Sequence, residues 1–196
     1  DPPYQINNTG GGSSEMAKQI TNIGKSIAFI ADFNPIDFLN VLPTIFNKKI
    51  NAYIFCNKEL LPDYLVWARD KGYSFNVLVW KKPNALPINA AHRPDIEYLL
   101  LFRKGATWNH GLKGVNYSRV IEASRETGLH PTMKPVEILE NEMLISSSSN
   151  GLVFDFFGGS GSTLIACENQ GRRCCLIELL PHYAQVIIQR YVDYTS

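Results

Sequence analysis

With 196 residues, of which 45% are hydrophobic and 19% charged, the chain has the size and make-up of one α/β domain able to bury a proper core. A formal net charge of +1 excludes an overall basic field, so any nucleic-acid contact must rest on locally concentrated cations. There is no membrane-length apolar segment and no signal-peptide pattern, so a cytoplasmic protein without a membrane partner is expected; Cys56, Cys167, Cys174 and Cys175 form no Cys-x-x-Cys pair and read as reduced structural thiols.

The chain opens on Asp1-Pro2-Pro3-Tyr4. The Asp1 carboxylate can accept a hydrogen bond from an exocyclic amino group. The two prolines lack N–H groups and have fixed φ, so the turn presents carbonyl oxygens. Tyr4 can stack on the face of a base. A turn that merely ends a strand is the plainer alternative for an isolated tetrapeptide. No initiator Met precedes it, and a catalytic turn needs a strand behind it, so a fragment of a longer protein is expected. As numbered, Asp1 would carry a free α-ammonium beside its own carboxylate.

Gly10-Gly11-Gly12 lies in a polar stretch that fits either a lid or a linker. Residues 15–25 predict a weak helix. Asn34-Pro35-Ile36-Asp37 predicts a firmer one, with Asn34 as N-cap, Pro35 at N1, and Ile36, Leu39, Leu42 and Phe46 on one face. Pro43 marks a kink. Ile50–Cys56 predicts a buried strand; Asn57 then caps a helix whose Leu61, Tyr64, Leu65 and Ala68 share a face until Gly72. Tyr73–Trp80 and Ile96–Arg103 predict an antiparallel pair, with Trp80-Lys81-Lys82-Pro83-Asn84 where their long connection begins.

From Lys104 to Leu129 the periodicity fades. Arg103, Lys104, Lys113, Arg119, Arg125 and Lys134 face only Glu122 and Glu126 between Arg103 and Lys134. Six cations against two anions fit a solvated loop or, with Trp108, His110 and Tyr117, a grip on a phosphate backbone. His130-Pro131-Thr132-Met133-Lys134-Pro135 introduces a helix with Pro135 at N1 and Val136, Leu139 and Met143 on its apolar side. Ser146–Ser149 reads as a linker.

Residues 151–166 predict an apolar strand ending in Asp155, a glycine-rich turn, and a helix opening at Ser162 or Thr163. Glycines at such a turn let a ligand approach the backbone. Leu164 occupies the position of the third glycine of a dinucleotide fingerprint, and no Gly-Lys-Ser/Thr follows, so a pyrophosphate ligand is disfavoured. The next strand, Arg173–Glu178, ends in a second acid placed for ribose hydroxyls. Two strand-terminal acids around a glycine turn suit a ligand with a ribose and an ammonium group, as S-adenosylmethionine has.

Asp1-Pro2-Pro3-Tyr4, His130–Pro135, Phe154–Thr163 and Ile177-Glu178-Leu179, in that order, resemble the β-class S-adenosylmethionine-dependent DNA amino-methyltransferases. The resemblance implies an α/β fold: a doubly wound, Rossmann-like, seven-stranded sheet, mostly parallel with an antiparallel hairpin. It also places the strand leading into Asp1, and the one after the Glu178 unit, upstream of residue 1. Residues 1–196 would form one methyltransferase domain: a catalytic half (1–103), a target-recognition insertion (104–129) and a cofactor-binding half (130–196). One departure is Leu180-Pro181, where family members often have Asp-Pro.

The resemblance further implies methyl transfer to adenine N6 of a base flipped out of double-stranded DNA. Asp1 and the Pro2 carbonyl would hold the amino group, with Pro3 shaping the turn and Tyr4 stacking on the base. Phe156, Gly158, Gly159, Gly161 and Ser162 would shape the cofactor turn, Asp155 would meet the methionine ammonium and Glu178 the ribose. Thr132 and Lys134 would contact the methionine moiety, although Lys134 could also be a plain surface lysine at a helix start. The chemistry needs neither a metal nor a covalent nucleophile. A homodimer and a restriction endonuclease partner belong to the same expectation. Transfer to cytosine N4, or a non-catalytic relic that binds DNA or cofactor, are the alternatives.

Overall fold

A computed structural model describes residues 1–3, 33–46, 49–85, 92–126 and 133–196. Tyr4, the glycine-rich stretch after it, the weak helix at 15–25 and the His130-Pro131-Thr132 part of the second motif lie outside the described residues.

Helix α1 (Pro35–Ile45) starts where its cap predicts: Asn34 Oδ1 accepts from the Ile36 and Asp37 amides at 2.9 and 3.3 Å. Strand β1 (Ile50–Cys56) follows. Helix α2 (Leu61–Asp70) starts later than its predicted cap. Asn57 Oδ1 accepts the Leu60 amide at 3.2 Å and so holds the turn before the helix, while Leu60 stands at the N-cap without a side-chain acceptor. Strands β2 (Ser74–Lys81) and β3 (Ile96–Lys104) form the expected antiparallel pair, with Trp80 opposite Glu97. A short strand β4 (Val120–Glu122), which the sequence did not announce, pairs in parallel with β2. Helix α3 (Val136–Ser146) has Pro135 at its N-cap rather than at N1. Then come β5 (Leu152–Asp155), α4 (Ser162–Gln170), β6 (Arg173–Leu176) and α5 (Pro181–Thr195). No described helix is long and apolar enough to cross a membrane.

The α/β architecture with mixed strand pairing is as expected. The described strands form two sheets, one in the order β1-β3-β2-β4 and one of β5-β6. Two of the four pairings, β1 with β3 and β3 with β2, are antiparallel, and the expected hairpin is one of them. β1 spends one edge on β3, β5 spends one on β6, and no described strand pairs with the other edge of either.

β3 explains why the four-stranded sheet is covered on both faces. Successive strand residues point to opposite sides, so an unbroken apolar run needs two cores. Leu100 and Phe102 pack with Leu39, Leu42, Ile54, Tyr64 and Trp67 under α1 and α2. Leu99 and Leu101 pack on the other side with Phe55, Leu78, Trp80, Ile121 and Ile138, the last from α3. Each such fully buried side chain contributes about 1.5–3 kcal/mol. Helix α3 also meets α4 through Met143, Ala166 and Cys167, so one helix reaches both sheets.

Candidate active site

The glycine turn between β5 and α4 is tied down by two acids, Asp155 at the end of β5 and Glu178 just after β6. Asp155 Oδ1 accepts the Phe157 amide at 2.9 Å, and Oδ2 accepts the Thr163 hydroxyl at 2.6 Å. Glu178 lies two residues beyond the end of β6; its Oε2 accepts the Gly159 amide at 2.8 Å and its Oε1 the Leu180 amide at 2.9 Å. These bonds use part of each carboxylate, since two oxygens offer about four lone-pair sites.

The glycines have a reason that the sequence left unstated. A Cβ on Gly158 would lie 2.3 Å from Leu176 Cδ2 and 3.0 Å from Ile187 Cδ1, so β6 and α5 close directly onto the backbone there. Gly161 is the N-cap of α4, with φ +80°, and a Cβ on it would lie 3.1 Å from Ile187 Cγ2. Both positions therefore serve packing as well as any ligand approach. Ser162 is buried, and Arg190 of α5 reaches over it, its Nη1 3.2 Å from Ser162 Oγ and 3.0 Å from the Ser160 carbonyl. The Phe156 ring is engaged by aromatic neighbours: Phe38 at 5.3 Å and Phe154 at 4.4 Å between centroids.

The opening turn sits among charged groups drawn from distant segments. Pro2 is buried, and Asp1 Oδ2 lies 2.7 Å from Lys134 Nζ. Asp1 Oδ1 is also buried and has no hydrogen-bond partner among the described residues. Burial pulls the pKa of the Asp1 α-amino group down to about 6, with Asp155 opposing the fall and Lys134 assisting it.

Lys134 is no surface lysine: only 7% of its side chain is exposed. Its Nζ also lies 3.4 Å from Glu97 Oε2, and Glu97 Oε1 lies 3.2 Å from Lys82 Nζ. Desolvation lowers the Lys134 pKa and Glu97 opposes the fall. For Glu97, desolvation alone would raise the pKa, but Lys134 and Lys82 outweigh it and the net shift is downward. Asp1 and Lys134 are thus brought together, as are Asp155, Glu178 and the glycine turn. Tyr4 and Thr132 fall outside the described residues.

Among known proteins, the model of the DNA methylase family matches residues 1–190. The chain belongs to that family. Among its relatives, the Type II methyltransferase M2.DpnII of Streptococcus pneumoniae is 27% identical over 97% of this chain and 80% of its own length. The Type II methyltransferase M.Cfr9I of Citrobacter freundii is 27% identical over 62% of this chain, a match that spans 45% of the relative. In three dimensions the chain resembles the M1.HpyAVI–SAM complex, with a TM-score of 0.70, 27% identity and coverage of 81% of this chain and 82% of that one. The PvuII cytosine-N4-specific DNA methyltransferase shares the fold at a TM-score of 0.67 and 14% identity, over 100% of this chain and 78% of that one.

Within this member of the family, Lys82, Glu97 and Arg190 are the site neighbours that sequence reasoning missed. One signal was available for Glu97: the single acid of strand β3, next to its apolar run and paired across the hairpin with Trp80, two residues before Lys82. Arg190 carries no such mark, being one polar residue on an amphipathic helix. The basic stretch also sorts differently once folded. Arg103 lies 4.3 Å over the Trp108 ring and donates to Asn51 Oδ1, Lys104 donates to the Lys71 carbonyl, and Lys134 is buried. Lys113 and Arg119 are exposed, and the amide of half-buried Arg125 donates to Asn84 Oδ1.

Proposed function

We propose that this protein methylates DNA, moving the methyl group of S-adenosylmethionine to the exocyclic amino nitrogen of a flipped-out base, adenine N6 in preference to cytosine N4. The observation that carries the proposal is the Asp1 carboxylate: half-buried, held on Oδ2 by Lys134, and with Oδ1 buried and without a hydrogen-bond partner among the described residues. A buried acceptor without a donor is costly, and a substrate amino group supplies the donor. Asp1 and the Pro2 carbonyl would bind the two amino hydrogens and aim the nitrogen lone pair. Alignment of this kind accounts for much of the rate acceleration when the electrophile is already activated.

The donor set fits the cofactor. Asp155 and Glu178 are half-buried, fixed in orientation and retain lone pairs, which matches an ammonium group and a ribose diol. S-adenosylmethionine supplies an electrophilic methyl group. The adenine preference rests on the Asp-led tetrapeptide and on resemblance. Duplex DNA is the partner in this proposal, with a homodimer and a restriction endonuclease in the same system as further parts of it.

The test is incubation of the protein with methyl-labelled S-adenosylmethionine and unmethylated DNA, followed by digestion to nucleosides. Label in N6-methyladenine is the expected outcome. Label in N4-methylcytosine overturns the base preference, and DNA retardation without label identifies a non-catalytic binder. Asp1→Ala is expected to lower transfer by roughly 10²-fold or more, as removal of an oriented transition-state contact does; undiminished transfer removes Asp1 from the mechanism.

A further inference from the structure

We propose that Glu97 is a positioning residue for Asp1: through Lys134 it fixes one carboxylate oxygen so that the other, Oδ1, is offered to the substrate, with Lys82 balancing its charge. The inference rests on the methyl-transfer proposal above and deepens it.

Four residues from four segments form one chain of alternating sign. Asp1 of the opening turn meets Lys134 at 2.7 Å, Lys134 meets Glu97 of β3 at 3.4 Å, and Glu97 meets Lys82 at the end of β2 at 3.2 Å. Both lysines are buried and Glu97 is 22% exposed, so water contributes little to holding them. Aromatic faces restrict where the ammonium groups can go: Lys134 Nζ is 5.1 Å from the Phe55 ring centre and Lys82 Nζ 5.6 Å from that of Trp80. The acid at the middle of the chain stands on rigid backbone. Glu97 is opposite Trp80 in the β2–β3 ladder, and the Lys82 amide donates to the Asp95 carbonyl at 2.7 Å.

The β2–β3 hairpin therefore extends a fixed charge to the opening turn. Lysine has a flexible four-carbon stem, and an ammonium bound to Asp1 alone could swing with it. A second carboxylate on the far side leaves Lys134 with one place to be, and Asp1 Oδ2 with it. Supporting groups of this sort commonly hold a site to within about 0.5 Å. Removing Glu97 would leave Lys82 and Lys134 as neighbouring buried cations, the unbalanced case that is expensive in a protein interior.

Single-turnover methylation of unmethylated DNA and cofactor Kd, measured on the full chain for wild type, Glu97→Gln and Glu97→Gln/Lys82→Gln, test the proposal, with thermal unfolding recorded alongside. The single substitution is expected to slow transfer by roughly tenfold to a hundredfold while cofactor Kd stays within about twofold. The double substitution removes the surplus cation, leaves Asp1–Lys134 as a neutral pair, and is expected to recover most of the rate. A wild-type rate in the single variant overturns the proposal. So does a loss that appears equally in Kd and is not recovered by the second change, since that marks a structural role only. Should Glu97→Gln fail to fold, Glu97→Asp keeps the charge but withdraws it by one methylene, and an unchanged rate there is equally fatal. If the wild-type chain transfers nothing, the methyl-transfer proposal fails first and the positioning role goes with it.

Discussion

Gly158 is the position where one added methyl group has least room. Its Cβ would stand 2.3 Å from a Leu176 methyl carbon and 2.9 Å from Leu176 Cγ, with Ile187 at 3.0 Å behind. Gly158→Ala is expected to destabilise the protein by about 1–3 kcal/mol, the range for overpacking, read as a lower urea midpoint. Gly72→Ala is the control: at φ +71° with nothing within 4 Å of the new carbon, it carries only the left-handed backbone penalty, about 1–2 kcal/mol. Glu97 allows a prediction with pH. Its folded pKa is lowered from the ordinary value of 4.5, so its ionised form stabilises the fold above that pH. This contribution is lost as the pH falls from 4.5 through the folded value. The stability gap between wild type and Glu97→Gln is therefore expected to be largest near neutrality and to shrink below about pH 4.5, as followed by thermal unfolding in a pH series. A gap that widens in acid would show that the lysines do not dominate the environment of Glu97.

At the level of elements, β4 is held by one side chain as much as by its ladder. Trp80 Nε1 donates to the Ala123 carbonyl at 2.8 Å in a buried bond, just beyond the three residues that pair with β2. Trp80→Phe keeps most of the ring but orphans that carbonyl, and is expected to cost about 1–3 kcal/mol and to raise amide exchange in Val120–Glu122. This strand was illegible in the sequence because its three residues, Val120, Ile121 and Glu122, are too few to set up a period; only Ile121 is buried. Longer elements announced themselves. Asn34 with Pro35 marked α1 because capping and fixed φ act locally, and the apolar run Leu99–Phe102 marked β3 because both of its faces are covered. The glycine turn and its flanking acids were legible for the same local reason. The Asp1–Lys134–Glu97–Lys82 chain was not, since its members meet only after the β2–β3 hairpin and the start of α3 are brought together. Lys134 entered through a motif, but its contact with Asp1 is a tertiary fact.

For the whole molecule, the question is how two sheets that share no strand among the described residues behave as one unit. Besides α3, aromatic rings bridge them: Phe38 of α1 meets Phe156 and Phe157 at 5.3 and 5.0 Å, and Phe46 meets Phe154 at 6.3 Å, all near edge-to-face. Pairs in this geometry contribute about 0.5–1.5 kcal/mol each beyond the area they bury. The bridge carries the glycine turn on one side and packs on the core beneath β1 and β3 on the other, so it couples the β5–β6 side to the side that carries Glu97. All three tryptophans report on the four-stranded side: Trp67 from α2, Trp80 from β2, and Trp108 against the Leu99–Ile121 cluster. Far-UV circular dichroism reports on both sides. In the wild type the two signals are expected to change together in urea, as for a cooperative domain of this size. Phe38→Ala removes the ring that touches both Phe156 and Phe157, and the dichroism transition is then expected to begin at lower urea than the fluorescence transition. Coincident, unshifted transitions in that variant would mean that the rings fill space without coupling the halves, and that α3 alone keeps the glycine turn in step with the Asp1 network.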